Sequence, residues 1–175
     1  MISKEENFAY IDGANLHKGI TELGWMLDYK RFRVWLSEKY SVKNAYIFIG
    51  LIPRYKDLYN YLQRCGFILV FKEVVYDSNG KAKGNCDADL VLQVVRDTYE
   101  NKYEKAIIIS SDGDYASLIK FLKEKNKLKV VLSPHTKDYC SILIKRINIP
   151  ISYLYDQRLK LQIVKEKTPD TDRAV

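Results

Sequence analysis

Four aspartates, Asp12, Asp87, Asp112 and Asp114, are the residues whose types and spacing could do chemistry in this sequence. Asp12 closes the apolar run Phe8-Ala-Tyr-Ile11, and Asp112 and Asp114 follow Lys105-Ala-Ile-Ile-Ile in the segment Ser-Ser-Asp-Gly-Asp. Taken singly, Asp12 or Asp112 is explained by an Asx turn or a helix cap. Asp114 differs, because it precedes Leu118, Phe121 and Leu122 by helical spacings. That phase puts it on the face expected to pack onto a sheet, where a charge without a partner is costly. Asp87 heads the stripe of Leu90, Val91, Val94 and Val95 in the same way. Asp89 instead aligns with Gln93 and Arg96 on the solvent face, where it would complement the helix dipole. Carboxylates gathered within a few ångströms raise one another's pKa unless a cation intervenes. An oxygen-only donor set suits Mg²⁺ or Mn²⁺.

The elements that must position these acids follow from the apolar pattern. Strands are expected at 8–11, 45–50, 67–71, 105–110, 127–133 and 151–155, with 73–76 extending the third. Asp12-Gly-Ala-Asn15 reads as a strand feeding a turn. Helices are expected over 28–40 with Asp28 as N-cap, after Pro53, and over 87–99, 113–125 and 138–146. Solid apolar strands alternating with helices indicate an α/β fold, a three-layer α/β/α sandwich around a mainly parallel sheet. Right-handed crossovers place all strand-to-helix loops at one end, and ligands bind where strand order reverses. The first and fourth strands of the sheet should flank that switch, which joins Asp12 to the Asp112–Asp114 loop. Residues 1–160 are expected to form one domain, and 161–175 a frayed tail.

Other chemistries lack their residues. The histidines, His17 and His135, are far apart, and Cys65, Cys86 and Cys140 form no metal-ligand pattern. Cys86, beside Asp87, reads as a small buried residue rather than a reactive thiol. His17 follows the Asp12 turn and reads as a surface side chain. No GxSxG elbow, GxxxxGK[ST] loop or GxGxxG fingerprint is present. No signal-like or bilayer-spanning apolar run occurs, and the free thiols fit a reducing cytoplasm. Lys and Arg outnumber Asp and Glu by 29 to 22, giving a net charge of +7 and a pI near 9.1. That balance favours polyanions such as nucleic acid. Lys18, Arg54, Lys56, Lys72, Lys81, Lys83 and Lys137 fall near connections at the acidic end, with Tyr55, Tyr59 and Tyr76 among them. Basic groups interleaved with aromatic rings suit single-stranded nucleic acid.

Three blocks in order, FAYIDGANLH, KGNCDADLVLQVV and AIIISSDGDYASLIKFL, resemble the signature blocks of the NYN family of PIN-like nucleases, most closely its LabA-like branch. The likeness runs over roughly residues 7 to 156. It implies a PIN-like Rossmannoid sheet, a Mg²⁺ or Mn²⁺ site and RNA cleavage. Carried over by position, the acidic residues are Asp12, Asp87, Asp112 and Asp114, with Asn15 beside them and Ser110 or Ser111 in the third block. Cys86 stands where the second block often has valine, and Ser141 resembles a further polar position. The expected reaction is phosphodiester hydrolysis by metal-activated water. Asp12 and Asp112 are the candidate direct ligands, and Asp87 and Asp114 would bind a second metal or hold waters. Asn15 would orient a water or a phosphate oxygen. Lys18, Arg54, Lys56, Lys83 and Ser111 would contact single-stranded RNA. A homodimer or a protein partner would choose the target. Competing expectations are a non-catalytic nucleic-acid-binding module and a metal-dependent phosphatase of small phosphoesters.

Overall fold

Each of the six apolar runs becomes a strand of one parallel sheet. The structure, a computed structural model, describes residues 6–76, 78–79, 82–83 (backbone alone) and 86–164. The strands of the main sheet are β1 (Asn7–Asp12), β2 (Val42–Leu51), β3 (Ile68–Glu73), β6 (Ala106–Ile109), β7 (Leu128–Ser133) and β8 (Ile151–Tyr153). They lie in the order β3-β2-β1-β6-β7-β8, and every neighbouring pair is parallel. Among the described residues, two further strands, β4 (Val75–Tyr76) and β5 (Ala82–Lys83), pair antiparallel apart from the main sheet. Residues 75–76 therefore leave the main sheet instead of extending its third strand.

Among the described residues, seven α-helices flank the sheet: α1 (Gly13–Glu22), α2 (Tyr29–Tyr40), α3 (Lys56–Arg64), α4 (Asp87–Tyr99), α5 (Ala116–Glu124), α6 (Ile142–Lys145) and α7 (Arg158–Leu161). Strand alternation divides the core in two. Ile11, Ile47, Ile109 and Leu132 face Leu16, Phe32, Leu36, Leu62 and Leu161 from α1, α2, α3 and α7. Tyr10, Ile108 and Val131 face Leu90, Val94, Leu118, Leu122 and Ile144 from α4, α5 and α6. This is the expected three-layer α/β/α sandwich. Among the described residues, no helix is long and apolar enough to cross a membrane.

Local chemistry accounts for several boundaries. Asp28 caps α2, its Oδ1 accepting from Arg31 N at 3.0 Å. The run after Asp12 is a ten-residue helix rather than a turn alone, anchored by buried Leu16, Gly19 and Ile20. Gly13 opens it because a Cβ there would meet the Phe48 carbonyl oxygen at 2.8 Å. The helix expected over 138–146 shortens to α6, because Ser141 stops it with its own cap, Oγ accepting from Leu143 N at 3.2 Å. The stretch expected to fray from residue 161 is ordered at its start. Leu161 is buried, Gln162 bridges Leu27, and Ile163 N donates to Met26 O at 2.9 Å.

Candidate metal centre

β1 and β6 are adjacent at the switch in strand order, with Ile11 paired to Ile109, so Asp12 and the loop after β6 share one end of the sheet. Asp12 has the parity of Phe8 and Tyr10 and therefore faces the α4–α5 layer. Its Oδ1 accepts from Asn15 N at 3.0 Å, which caps α1. Its Oδ2 lies 3.5 Å from Ser110 Oγ and 3.4 Å from the Tyr115 hydroxyl. The same hydroxyl donates to Asp87 Oδ1 at 2.5 Å, at the first residue of α4. Asp112 caps the 3-10 turn Gly113–Tyr115 by accepting from Asp114 N at 3.0 Å. One carboxylate oxygen from each of Asp87, Asp112 and Asp114 falls within 4.8 Å of the others. Asp12 stands behind this trio, joined to Asp87 through Tyr115.

Asp114 is solvent-exposed, contrary to the expectation from helical phase. Residues 113–115 form a 3-10 turn, and its tighter winding shifts the phase before α5 begins. Tyr115 takes the buried position and precedes Leu118, Ile119 and Leu122 by three, four and seven residues. That spacing was present in the sequence and is the signal that could have found this tyrosine. Asp89, by contrast, is half-exposed and ion-paired with Lys72 at 2.9 Å.

Burial, above all, pushes the Asp12 carboxyl above its ordinary value. The Asn15 N–H and the Tyr115 hydroxyl oppose that shift, while the Asp87 and Asp112 charges add to it. Burial and the two carboxylates likewise push up the Tyr115 hydroxyl, which stays protonated and donating. The Cys86 thiol is pushed up to about 11 by burial first, then by Asp89, Asp12 and Asp87, so it is no reactive thiolate. Among the described residues, no Lys, Arg or His forms an ion pair with Asp12, Asp112 or Asp114. A partly desolvated cluster of oxygen donors fits a divalent metal ion.

A second chain of contacts fixes Asn15. Its Oδ1 accepts from Ser111 N at 2.9 Å and from Ser111 Oγ at 3.0 Å. Ser111 Oγ lies 2.6 Å from His135 Nδ1, and His135 Nε2 lies 3.2 Å from Glu22 Oε2. Gly19 admits this approach, since a Cβ would sit 2.7 Å from Pro134 Cβ and 3.0 Å from the His135 ring. With its carbonyl engaged, Asn15 has its amide NH2 left as the donor toward a ligand. His135 and Glu22 join elements more than a hundred residues apart, and no local pattern marks them. Ser111, expected to touch nucleic acid, is buried in this chain of contacts. Ser141 N donates to Ser111 O at 3.1 Å and braces the same loop.

The basic and aromatic candidates scatter more widely. Lys18 is exposed on the cleft that Asp12 and Asn15 line, 3.9 Å from Glu22. The Arg54 guanidinium stacks on Tyr55 at 5.0 Å, and Lys56 opens α3 on the surface. Lys137 is exposed, and its carbonyl accepts from Lys145 Nζ. Tyr76 is exposed in β4. Tyr59 is buried, its hydroxyl donating to Gly50 O at 2.8 Å and accepting from Ile52 N at 2.9 Å, so it offers no stacking face. His17 is exposed. Lys81 and the Lys83 side chain lie outside the described residues.

The profile of the NYN domain family matches residues 9–145, a span that contains Asp12, Asp87, Asp112 and Asp114. The chain belongs to the NYN domain family. NYN domains are PIN-like, nuclease-type domains, and the acidic cluster in this one could hold a divalent metal ion. The fold of this NYN domain is similar to a crystal structure of a protein of unknown function from Vibrio parahaemolyticus. The TM-score is 0.75 at 18% identity, covering 93% of this chain and 99% of that one. No curated protein matches the sequence significantly.

Proposed function

We propose that this NYN domain is a nuclease that hydrolyses phosphodiester bonds of single-stranded RNA with a divalent metal ion. The observation that carries the reading is the convergence of Asp87, Asp112 and Asp114 within 4.8 Å, with Asp12 buried behind them. Asp87, Asp112 and Asp114 would hold the ion, and Asp12 would complete the charge or hold a second one. All donors are oxygens, which suits Mg²⁺ or Mn²⁺ over zinc. When bound, such an ion supplies a water of lowered pKa and neutralises charge that develops on the phosphate. Tyr115, held protonated, fixes the Asp87 carboxylate and keeps it from repelling Asp12. The Asn15 amide, braced through Ser111, donates to a phosphate oxygen or orients a water. Lys18 and Arg54 receive neighbouring phosphates, in keeping with the net charge of +7.

The test is a cleavage assay on single-stranded RNA, duplex RNA and DNA with Mg²⁺, Mn²⁺ or chelator, beside Asp112→Asn. Cleavage of single-stranded RNA that needs the metal, weakens as salt rises and disappears in Asp112→Asn is expected. RNA binding without turnover, indifferent to Asp112→Asn, would replace the reading with that of a binding module. Turnover of small phosphoesters alone would replace it with that of a phosphatase.

A further inference from the structure

The carboxylates stand at one mouth of a cleft of about 890 Å³, within the range of small-ligand sites. From Asp12, Asp87 and Asp112 it runs between α1 and α3 to Trp25, Met26 and Ile163. Its walls gather apolar side chains that the fold leaves uncovered. Met26, Tyr55, Leu58, Tyr61 and Ile163 all line it, and each is at least 37% exposed. Single exposed apolar residues mean little, but a contiguous set lining a concave surface marks a binding site.

The rings in these walls are held by their neighbours. Tyr61 meets Tyr29 edge-on, ring centroids 6.4 Å apart, and Tyr55 lies under the Arg54 guanidinium. Trp25 lines the same cleft at 6% exposure. A nucleobase fits such walls, because it brings a flat face for the exposed tyrosine rings and belongs to a strand whose phosphates suit the carboxylate mouth and Lys18.

We infer that this cleft is a base-binding subsite, which takes the unpaired nucleobase of the nucleotide whose phosphate sits at the carboxylates. The inference rests on the nuclease reading for the position of that phosphate. Aromatic stacking is tolerant of base identity, so the subsite separates unpaired from paired bases and not one base from another. Lys18, on the cleft, meets the phosphate leading away. A paired base cannot enter, because both its faces and its acceptor edge are engaged in the duplex. The cleft therefore supplies a physical reason for preferring single strands that the basic surface alone does not.

The experiment measures binding to the full chain in chelator, where turnover is switched off. The probes are a short fluorescent single-stranded oligoribonucleotide and a strand of equal phosphate number carrying abasic sugars. The base-bearing strand should bind at least about ten-fold more tightly. Tyr61→Ala should erase most of that difference and leave abasic binding unchanged. Tyr61→Phe keeps the ring in the wall and should keep the base preference, so the pair separates stacking from the loss of a side chain. Equal binding of the two strands, no binding of either, or full base preference in Tyr61→Ala overturns the inference. The nuclease reading fails separately. Metal-dependent cleavage without base preference sinks the cleft alone, and base preference without cleavage in Mg²⁺ or Mn²⁺ sinks the nuclease alone.

Discussion

Two buried carboxylates, at opposite ends of the face that α4 covers, live in opposite circumstances. Asp97, near the end of α4, is fully buried and accepts from the Tyr10 hydroxyl at 2.8 Å, Gln93 Nε2 at 2.9 Å and Lys102 Nζ at 3.1 Å. Asp12, at the carboxyl end of β1, is nearly as buried and has one backbone donor at 3.0 Å and two longer hydroxyl contacts. Asp97 brings its own cation, Lys102, while the neighbours of Asp12 are other carboxylates. A buried charge with partners is structural, and removing one partner is expensive. A buried charge among like charges lacks a counter-ion, and an oxygen-lined cluster is where a divalent ion supplies one. Among the described residues, the fold gives Asp97 a cation at one end and surrounds Asp12 with carboxylates at the other.

Substitutions that separate activity from stability break or sharpen this contrast. The largest effect is expected for Asp112→Asn, which should lower metal-dependent turnover about a thousand-fold, near 4 kcal/mol of barrier. Its denaturation midpoint without metal should move little or rise. Asp97→Ala should do the reverse. It strips the buried Tyr10 hydroxyl of its acceptor and opens a cavity, costing about 3 kcal/mol of stability in urea melts. Activity per folded molecule should survive. A thermal melt that drops as far for Asp112→Asn as for Asp97→Ala would erase the distinction.

Asp12→Asn is expected to be smaller and opposite in sign. The folded-state pKa of Asp12 is raised above 3.8 by burial and by Asp87 and Asp112. The associated stability is fully present below 3.8 and is lost as pH rises through the folded value. Without metal, the wild type should therefore lose stability as pH climbs out of the acid range, and Asp12→Asn should lose less. At neutral pH the variant should be more stable by about 1 kcal/mol, as removing a strained functional charge commonly is. Added Mg²⁺ or Mn²⁺ should close the gap by stabilising the wild type. Melts across pH with and without the ion check both halves, and a less stable Asp12→Asn at neutral pH would refute this account of Asp12.

How much of this was legible beforehand depended on what kind of signal each part leaves. Strands covered on both faces read as solid apolar runs, so Phe8–Ile11 and Ala106–Ile109 were visible, and chain crossover logic made them neighbours. Helical phase separated Asp87, which meets Tyr115, from Asp89, which pairs with Lys72. Phase failed at Asp114 because the regular period was applied across a 3-10 turn that only Asp112 capping and the packing of Tyr115 create. The helix after Asp12 leaves the signal of a turn, since GANLHK offers Leu16 as its large apolar anchor before Ile20. The contacts among Asn15, Ser111, His135 and Glu22 join α1 to the loops after β6 and β7, and no sequence spacing encodes such a meeting.

The finest test compares two tyrosines. Tyr10 and Tyr115 each aim a hydroxyl at a carboxylate of α4, Asp97 and Asp87 respectively. Tyr10→Phe removes one of three donors to a paired charge and should cost about 1–2 kcal/mol of stability, with the pH–rate profile unchanged. Tyr115→Phe removes the one hydroxyl that two like charges share. Its donation lowers the Asp12 pKa, so its loss should carry the acid limb of the cleavage profile to higher pH and reduce turnover by roughly ten-fold. The stability cost should be smaller than for Tyr10→Phe, because the lost hydrogen bond is offset where the carboxylates gain freedom to separate. A Tyr115→Phe enzyme with an unmoved acid limb would mean that this hydroxyl packs the loop without tuning the acids. The two ends of α4 would then differ in their cations alone.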